Sequence, residues 1–272
     1  MFKKILHNKM ALIGIIIVAI VFIIGLFSST IAPYDPTAMD LYNVASPANQ
    51  DHVWGTDELG RDIFSRVVTG AKTSLFIAVT VVGIGTVLGT LIGAVSGYLG
   101  GAVDNVTMKI MDTLMAFPTI LLALFFVTIF DPGLYSAITG VGLSTVPRFA
   151  RLVRGSVMSI KEKEYVEAQV AIGQTRLAIL FKHILPNCIG PIIVQATLTM
   201  GNSIITVAGL GFLGMGADPG VPEWGAMLSD ARSYLSSNPS ICVYPGAAIA
   251  IAVLGFNLLG DGLRDVLDVR QE

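Results

Sequence analysis

The run LFIAVTVVGIGTVLGTLIGAVSGY, Leu75–Tyr98, contains no charged side chain. A helix needs about 20 mostly apolar residues to cross the roughly 30 Å hydrocarbon core of a bilayer, so this run is long enough to span a membrane. Its glycines recur every four residues and therefore share one helix face. Because small residues let two helix backbones approach closely in lipid, we predict that this face packs against another helix; its residues are Gly85, Gly89, Gly93 and Gly97.

The composition places the whole chain in a membrane. Hydrophobic residues make up 53% of the 272 residues, charged residues only 13%, and the mean hydropathy is +0.74. These values are too apolar for an ordinary soluble domain. We predict an all-α integral membrane protein with six transmembrane helices, near residues 10–31, 75–98, 104–130, 134–157, 188–212 and 243–262.

The first apolar run follows Lys3, Lys4 and Lys9, but it exceeds the roughly 7–15 apolar residues of a cleaved signal peptide, which predicts a retained anchor. The positive-inside rule then orients the chain with both termini in the cytoplasm, because basic residues crowd the segment after the fourth predicted span. That segment contains Arg148, Arg151, Arg154, Lys161, Lys163, Arg176 and Lys182, whereas residues 214–241 contain Arg232 alone. We divide the chain into the N-terminus with the first span (1–31), an extracytoplasmic loop (32–73) and a five-helix core (74–272).

A charged stretch, SIKEKEYVEAQVAIGQTRLAILFKHILP from Ser159 to Pro186, interrupts the apolar runs. Ser159 and Glu162 have the capping-box spacing of a helix start, and Gly173 suits a helix C-terminal turn. A second short helix, about residues 174–184, is expected to stop before Pro186. We predict a helical hairpin of residues 159–186 on the cytoplasmic face, with a shape that suits insertion into a groove on a partner.

The sequence argues against an enzyme with its own nucleotide or metal site. The text TGAKTS around Lys72 lacks the glycine pattern of a P-loop. The G-x-G-x-x-G spacing of Gly209, Gly211 and Gly214 closes an apolar run rather than following a β-strand. No nucleophile with its base and no metal-ligand spacing stands out. We predict that this chain has no catalytic residue, metal site or cofactor, and that no nucleic acid is a partner.

The hairpin carries a family resemblance. Glu167-Ala168-Gln169, with Gly173 and Leu185-Pro186, resembles the EAA loop of ATP-binding-cassette (ABC) importer permeases, although Gln169 stands where that pattern has alanine. Further stretches, in order along nearly the whole chain, resemble the C-type permease of dipeptide, oligopeptide and nickel importers. They are GTDELGRDIFSRVVTGAKTSL (55–75), GGAVDNVTMKIMDTLMAFP (100–118), GFLGMGADPGVPEWGAMLSDAR (211–232) and FNLLGDGLRDVLD (256–268).

The resemblance implies the type I ABC importer permease fold in a bacterial inner membrane, with this chain forming a heterodimer with a second homologous permease. It also implies two ABC ATPase subunits that bind ATP and magnesium, and an extracytoplasmic solute-binding protein that delivers substrate. In the family the EAA loop docks the ATPase subunit. The residues implied in ATPase coupling are Tyr165, Glu167, Ala168, Gln169, Gly173, Leu185 and Pro186.

The segments 32–73 and 214–241 are longer than ordinary loops, and we predict that they dock the binding protein. Their candidate contact residues are Asp57, Arg61, Asp62, Glu223, Trp224 and Asp230.

The family implies a di- or oligopeptide as cargo, and nickel or another metal chelate is the alternative. An ATP-independent secondary transporter is the alternative from a different class. Such a protein should show broken helices and buried charges at mid-membrane, often in paired repeats. The sequence displays no repeat and no convincing mid-membrane charge.

Overall fold

A computed structural model of the chain describes residues 7–130, 133–218 and 220–268. Within these ranges the regular structure is helical, and the one β pairing is an isolated bridge between Thr56 and Asp62. The helices are α1 (Lys9–Leu26), α2 (Ser28–Ile31), α3 (Ile63–Leu99), α4 (Gly101–Met115), α5 (Thr119–Val127), α6 (Leu134–Lys161), α7 (Glu164–Ala171), α8 (Arg176–Ile179), α9 (Leu185–Phe212), α10 (Trp224–Asp230) and α11 (Ser240–Asp268).

The apolar helices confirm the predicted all-α membrane fold. Four segments of the described chain are long and apolar enough to cross a bilayer: α1, α3, α11 and the continuous helical segment Arg176–Phe212. Helices α4 and α5 together would form a fifth span. Helix α6 has 28 residues, but its arginines lower its hydropathy. Length and composition therefore support four or five spans, and the number six stays a prediction.

The predicted third span, 104–130, is not one straight helix. Helix α4 ends at Met115, α5 begins at Thr119, and the two are bent by 99°. Pro118 occupies the N-cap position of α5. Because proline lacks an N–H and disfavours helical backbone at the residue before it, the break falls at Phe117 and Pro118. The predicted third span therefore corresponds to a bent pair of helices rather than to one straight helix.

Helix α3 begins at Ile63 rather than near residue 75. The side chain of Asp62 caps it by accepting a hydrogen bond from the N–H of Ser65 at 2.8 Å, as Asp commonly does at an N-cap. At 1.5 Å per residue, its 37 residues make a helix about 55 Å long. Since the hydrocarbon core is roughly 30 Å thick, α3 extends well beyond it.

The glycine face of α3 lies directly against the backbone of α6. A Cβ atom added to Gly89 would lie 2.9 Å from the carbonyl oxygen of Val146. One added to Gly93 would lie 3.0 Å from the backbone nitrogen of Arg154, and one added to Gly97 would lie 2.9 Å from its carbonyl oxygen. These distances are shorter than a carbon atom tolerates, so only glycine permits this separation of the two helices.

Helix α1 packs across α11 in a similar way. A Cβ added to Gly14 would lie 2.7 Å from the Cα of Leu259, and one added to Gly255 would lie 2.6 Å from the side chain of Ile17. A buried cluster that includes Leu75, Ile204 and Phe256 then joins α3, α9 and α11. The long helix α3 therefore lies between the α1–α11 pair and α6.

A buried ion cluster attaches the segment of residues 32–62 to the start of α3. The carboxylate of Asp57 lies 2.7 Å from Nε of Arg61 and 3.1 Å from Nε of Arg66. Arg61 also pairs with Glu58 and lies 3.8 Å from Asp230. Asp57 is 3% exposed and both arginines are 1% exposed, so these charges depend on each other for compensation.

The pKa values of two carboxyl groups in the cluster, Glu58 and Asp230, are raised. Burial, followed by the nearby charge of Asp57, raises the pKa of Glu58. Burial also raises the pKa of Asp230, although Arg61 opposes that change.

Arg66 also forms hydrogen bonds outside the cluster, because its Nη1 donates to the carbonyl oxygens of Pro36 at 3.0 Å and Gly220 at 3.3 Å. One arginine thus connects α3 to the two long segments at this end of the bundle.

Replacing Gly89 with leucine should force α3 and α6 apart. We expect a loss of roughly 1–3 kcal/mol or more in the free energy of unfolding, as overpacking of a close contact generally produces. Thermal unfolding of the detergent-purified chain measures the effect. Gly83→Leu on the same helix is the matched control, since a Cβ at Gly83 meets nothing within 4 Å. Equal melting temperatures for the two variants would contradict the contact.

Replacing Asp57 with asparagine keeps the shape of the side chain and removes the charge that Arg61 and Arg66 share. Breaking a buried ion pair in this way typically costs about 3–5 kcal/mol, so residues 32–62 should detach more readily. Limited proteolysis would detect faster cleavage within that segment. Asp51→Asn, an exposed change in the same segment, should leave the cleavage rate unchanged; an equal acceleration by both variants would argue against the cluster.

Candidate functional site

The hairpin of residues 159–186 connects α6 to α9. Helix α6 continues to Lys161, so Ser159 lies inside that helix rather than at the start of a new one. Helix α7 begins at Glu164, and its N-cap residue Lys163 makes no side-chain capping hydrogen bond. The predicted capping box of Ser159 and Glu162 is therefore wrong. The reason is that the apolar face of α6 continues to Ile160, which is buried. This packing extends the helix past residue 157, where the predicted span ended.

Gly173 makes the bend between α7 and α8. Its φ is +80°, a conformation that glycine adopts without a Cβ penalty. The N–H of Gly173 donates to the carbonyl of Val170 at 3.0 Å, and the N–H of Gln174 donates to that of Gln169 at 3.1 Å. This pair of bonds is the Schellman motif that satisfies the last carbonyls of a helix. The expected C-terminal turn at Gly173 is confirmed.

The second helix of the hairpin does not stop before Pro186. Helix α8 begins at Arg176, where the Thr175 hydroxyl accepts a hydrogen bond from the N–H of Ala178. It then passes through a π-helical turn, Leu180–Ile184, into α9. Pro186 lies in the first turn of α9. A proline is tolerated there because its missing N–H is not needed in the first turn of a helix. Sequence reasoning missed this because it treated proline as a terminator.

The base of the hairpin is packed into the bundle. Val166 of α7 is buried with Ile179 and Ile184 against Val153 and Val157 of α6. Two polar contacts add to this packing. The amide of Asn187 donates to the hydroxyl of Tyr165 at 3.3 Å, and the ring of His183 lies 3.0 Å from the side-chain oxygen of Gln174. The hairpin is therefore attached to both α6 and α9.

The outer surface of the hairpin is open and partly apolar. Ile172 is 71% exposed and Leu177 is 69% exposed, and they lie on either side of the bend at Gly173. Of the predicted coupling residues, Tyr165, Glu167, Ala168, Gly173 and Pro186 are exposed, and Gln169 and Leu185 are half-buried. Four of the seven lie on α7, Gly173 makes the bend, and Leu185 and Pro186 lie in the first turn of α9.

The predicted docking residues at the other end have mostly internal partners. Asp57, Arg61, Asp62, Glu223 and Trp224 are all buried, and among the six only Asp230 is exposed. Polar residues in a long loop suggested surface contacts. Instead, Asp57 and Arg61 belong to the ion cluster. Asp62 caps α3, and its carboxylate lies 2.9 Å from Nδ1 of His52. A direct contact role for these five side chains is not what the structure supports.

Glu223 and Trp224 connect α10 to α3. The carboxylate of Glu223 accepts hydrogen bonds from the N–H groups of Gly225 at 2.8 Å and Ala226 at 2.7 Å. Burial raises the pKa of Glu223, and the two backbone donors oppose that change. The indole N–H of Trp224 donates to the carbonyl of Val67 at 2.9 Å. This segment is therefore held against α3 by buried polar contacts.

Arg154, which the sequence presents only as one of several basic residues, connects three helices. Its Nε and Nη2 donate to the two carboxylate oxygens of Asp104 on α4, each at 2.6 Å. The hydroxyl of Ser96 on α3 donates to the same carboxylate at 2.6 Å. Arg151, one turn earlier on α6, pairs with Asp112. No sequence signal reveals these pairs, because their members lie far apart in the chain.

A cavity of about 260 Å³, here called the central cavity, lies where the α4–α5 bend meets α6 and α9. Its walls combine apolar side chains such as Phe117 and Val141 with polar ones such as Arg148 and Asn202. Arg148, counted above with the basic residues after the fourth span, lies inside the predicted 134–157 span, near the midpoint of α6, because that helix continues to Lys161. Within the described ranges, no three His, Cys, Asp or Glu side chains form a group that could hold a metal.

Two protein-family models match this chain, and together they cover most of it. The family described as binding-protein-dependent transport system inner membrane component matches residues 89–272. The N-terminal TM domain of oligopeptide transport permease C matches residues 1–50.

Two curated relatives match over nearly their full length. The chain is 42% identical over 271 residues to the dipeptide transport system permease protein DppC of Alkalihalophilus pseudofirmus, which covers 100% of this chain and 89% of the relative. It is 43% identical over 267 residues to the glutathione transport system permease protein GsiD of Escherichia coli, which covers 98% of this chain and 88% of the relative.

Among solved structures, the chain is similar to a chain of the MetNI methionine ABC transporter in inward-facing conformations. The TM-score is 0.61 with 21% identity, covering 75% of this chain and 97% of that chain; at this identity the similarity supports the fold alone. Together with the family match over more than half of the sequence, these findings mean that the chain belongs to the binding-protein-dependent transport system inner membrane component family, and that it is a multi-pass permease of an ABC importer.

Proposed function

We propose that this permease imports short peptides, with di- and oligopeptides and glutathione-like peptides as the substrate class. The observation that carries the proposal is the near full-length similarity to permeases named for dipeptide and glutathione transport. The mixed lining of the central cavity supports it, since a peptide presents both polar backbone and apolar side chains. We also propose that this chain pairs with a second, homologous permease, so that the pathway runs between the two.

We further propose that the hairpin of residues 159–186 docks on one of two ATPase subunits, which bind ATP and magnesium. The hairpin exposes two apolar side chains, Ile172 and Leu177, and the carboxylate of Glu167. Such a surface can insert into a groove on a partner. Because the base of the hairpin is packed onto α6 and α9, closure of the ATPases would displace both helices as a rigid unit. Those helices line the central cavity.

This arrangement assigns the hairpin and both termini to the cytoplasm and the segments 32–62 and 213–239 to the opposite side. A solute-binding protein would then approach the segment 32–62, where Leu41 and Tyr42 are exposed, together with the exposed Asp230 of α10. The buried ion cluster of Asp57, Arg61 and Arg66 would hold that surface in place without contacting the binding protein.

Replacing Glu167 with lysine should uncouple the transporter. The side chain is exposed, so the variant should insert normally while uptake falls by about tenfold or more, the effect of losing roughly 1.4 kcal/mol of coupling. The measurement is ATP hydrolysis by the reconstituted transporter with and without loaded binding protein, alongside uptake. Asp261→Lys, an exposed charge reversal on α11, is the matched control. Stimulated hydrolysis that survives Glu167→Lys would contradict the docking role.

Substrate class can be tested with the complete transporter in proteoliposomes that contain ATP. We expect ATP-dependent uptake of a radiolabelled dipeptide, with unlabelled dipeptides or glutathione as effective competitors. Competition by a nickel–histidine complex, without competition by peptides, would move the assignment to metal chelates. Uptake by this chain alone without ATP would instead support a secondary transporter.

A further inference from the structure

Arg148 occupies an unusual position in a membrane protein. It lies near the midpoint of the 28-residue α6, about 20 Å from each end at 1.5 Å per residue. At this depth α6 packs on the glycine face of α3, where Val146 lies against Gly89. If α6 is the predicted fourth span, Arg148 is an ionisable side chain at mid-span, which is costly and generally faces a water-filled cavity or a binding partner. Arg148 lines the central cavity and is exposed to it.

Arg148 differs from the two arginines that follow it on α6. Arg151 pairs with Asp112, and Arg154 forms a two-pronged ion pair with Asp104. Arg148 makes no hydrogen bond or ion pair with any residue in the described parts of the chain. Three arginines at intervals of three residues therefore divide into two with an acidic partner and one whose guanidinium is free to bind something else.

The remaining polar groups of the cavity favour an anionic ligand. The hydroxyls of Ser144, Thr145 and Thr206 donate to carbonyls of their own helices, at 2.7–2.8 Å. The side-chain amide of Asn202 faces the cavity and, like Arg148, has no hydrogen-bond partner among the described residues. The free donors that line the cavity are thus the Arg148 guanidinium, the Asn202 amide and the Thr119 hydroxyl; of these only Arg148 is charged, and no Asp or Glu lines the cavity.

We propose that Arg148 and Asn202 form a transient binding site for a carboxylate of the transported peptide as it passes through the membrane. A guanidinium matches a carboxylate in planar, two-pronged geometry and stays charged at any physiological pH. The hydroxyl oxygens of Ser144, Thr145 and Thr206 keep lone pairs that can accept N–H donors of the same peptide. The cavity volume of about 260 Å³ suits a part of a short peptide. This inference rests on the proposed peptide transport.

The experiment crosses the substrate with the residue, using the complete transporter in proteoliposomes. Two forms of one dipeptide, the free acid and its C-terminal amide, are chosen so that both load the binding protein. Arg148→Gln should lower uptake of the acid by about tenfold or more, the scale of a lost charge-assisted contact, and should change uptake of the amide much less. Arg148→Lys keeps the charge and should restore most of the acid uptake. Because one binding protein serves every variant, its own preference cancels in the comparison.

Arg151→Gln is the matched control, since Arg151 pairs with Asp112 and should affect acid and amide equally. An equal loss of both substrates in Arg148→Gln would overturn the proposal and would point to an acidic partner of Arg148 on the second permease. Unchanged uptake of both would also overturn it. Failure of the unmodified transporter to import either dipeptide would refute peptide transport itself, so the two failures can be told apart.

Discussion

The close contact between α3 and α6 is the interaction on which the other features depend. Because Gly85, Gly89, Gly93 and Gly97 carry no Cβ, the backbone of α6 rests on α3 along several turns. In lipid such contacts rely on van der Waals packing, since no water is released from between apolar helices. The contact also sets the rotation of α6. Phe149, Ala150 and Val153 point inward and are buried, and Arg148 is left facing the central cavity.

Helix α6 links the central cavity to the hairpin. Its middle part lines the cavity, and its last turns, with Val153, Val157 and Ile160, form the packed base under α7 and α8. Helix α6 is continuous over this distance, although Pro147 lies within it, and the two ends of the hairpin are attached, one to α6 and the other to α9. A movement of the hairpin is therefore transmitted to both walls of the cavity. The ion pair of Arg154 with Asp104 adds α4 to the same unit.

The opposite end of the bundle relies on buried charge rather than on small residues. Arg61 and Arg66 are almost fully enclosed and share the carboxylate of Asp57. Arg66 also donates to backbone carbonyls of two separate segments, which suits the planar guanidinium with its several donors. These contacts hold the segment of residues 32–62 against the start of α3. A buried ion pair is weak evidence for stability but holds its partners in one geometry when all are present.

Much of this protein follows from the sequence because the signals are local. The length of an apolar run identifies a membrane helix, the spacing of four residues places the glycines on one face, and Gly173 marks a bend that needs positive φ. The family resemblance likewise rests on short motifs. Each of these depends on residues a few positions apart, so the all-α membrane fold and the hairpin could be predicted from the sequence.

The tertiary structure alone decided what depends on distant partners. Pro118 marks the position of the break between α4 and α5, but the 99° angle between them is a property of the tertiary structure. The continuation of α8 into α9 and the burial of Asp57 and Glu223 likewise arise from packing that a linear pattern does not record. The same holds for the arginines of α6. Their spacing on the helix is visible in the sequence, but Arg151 and Arg154 find acids on α4, and Arg148 faces a cavity. Identical side chains acquire different roles because three-dimensional contacts, rather than residue type, determine which charge is neutralised within the chain.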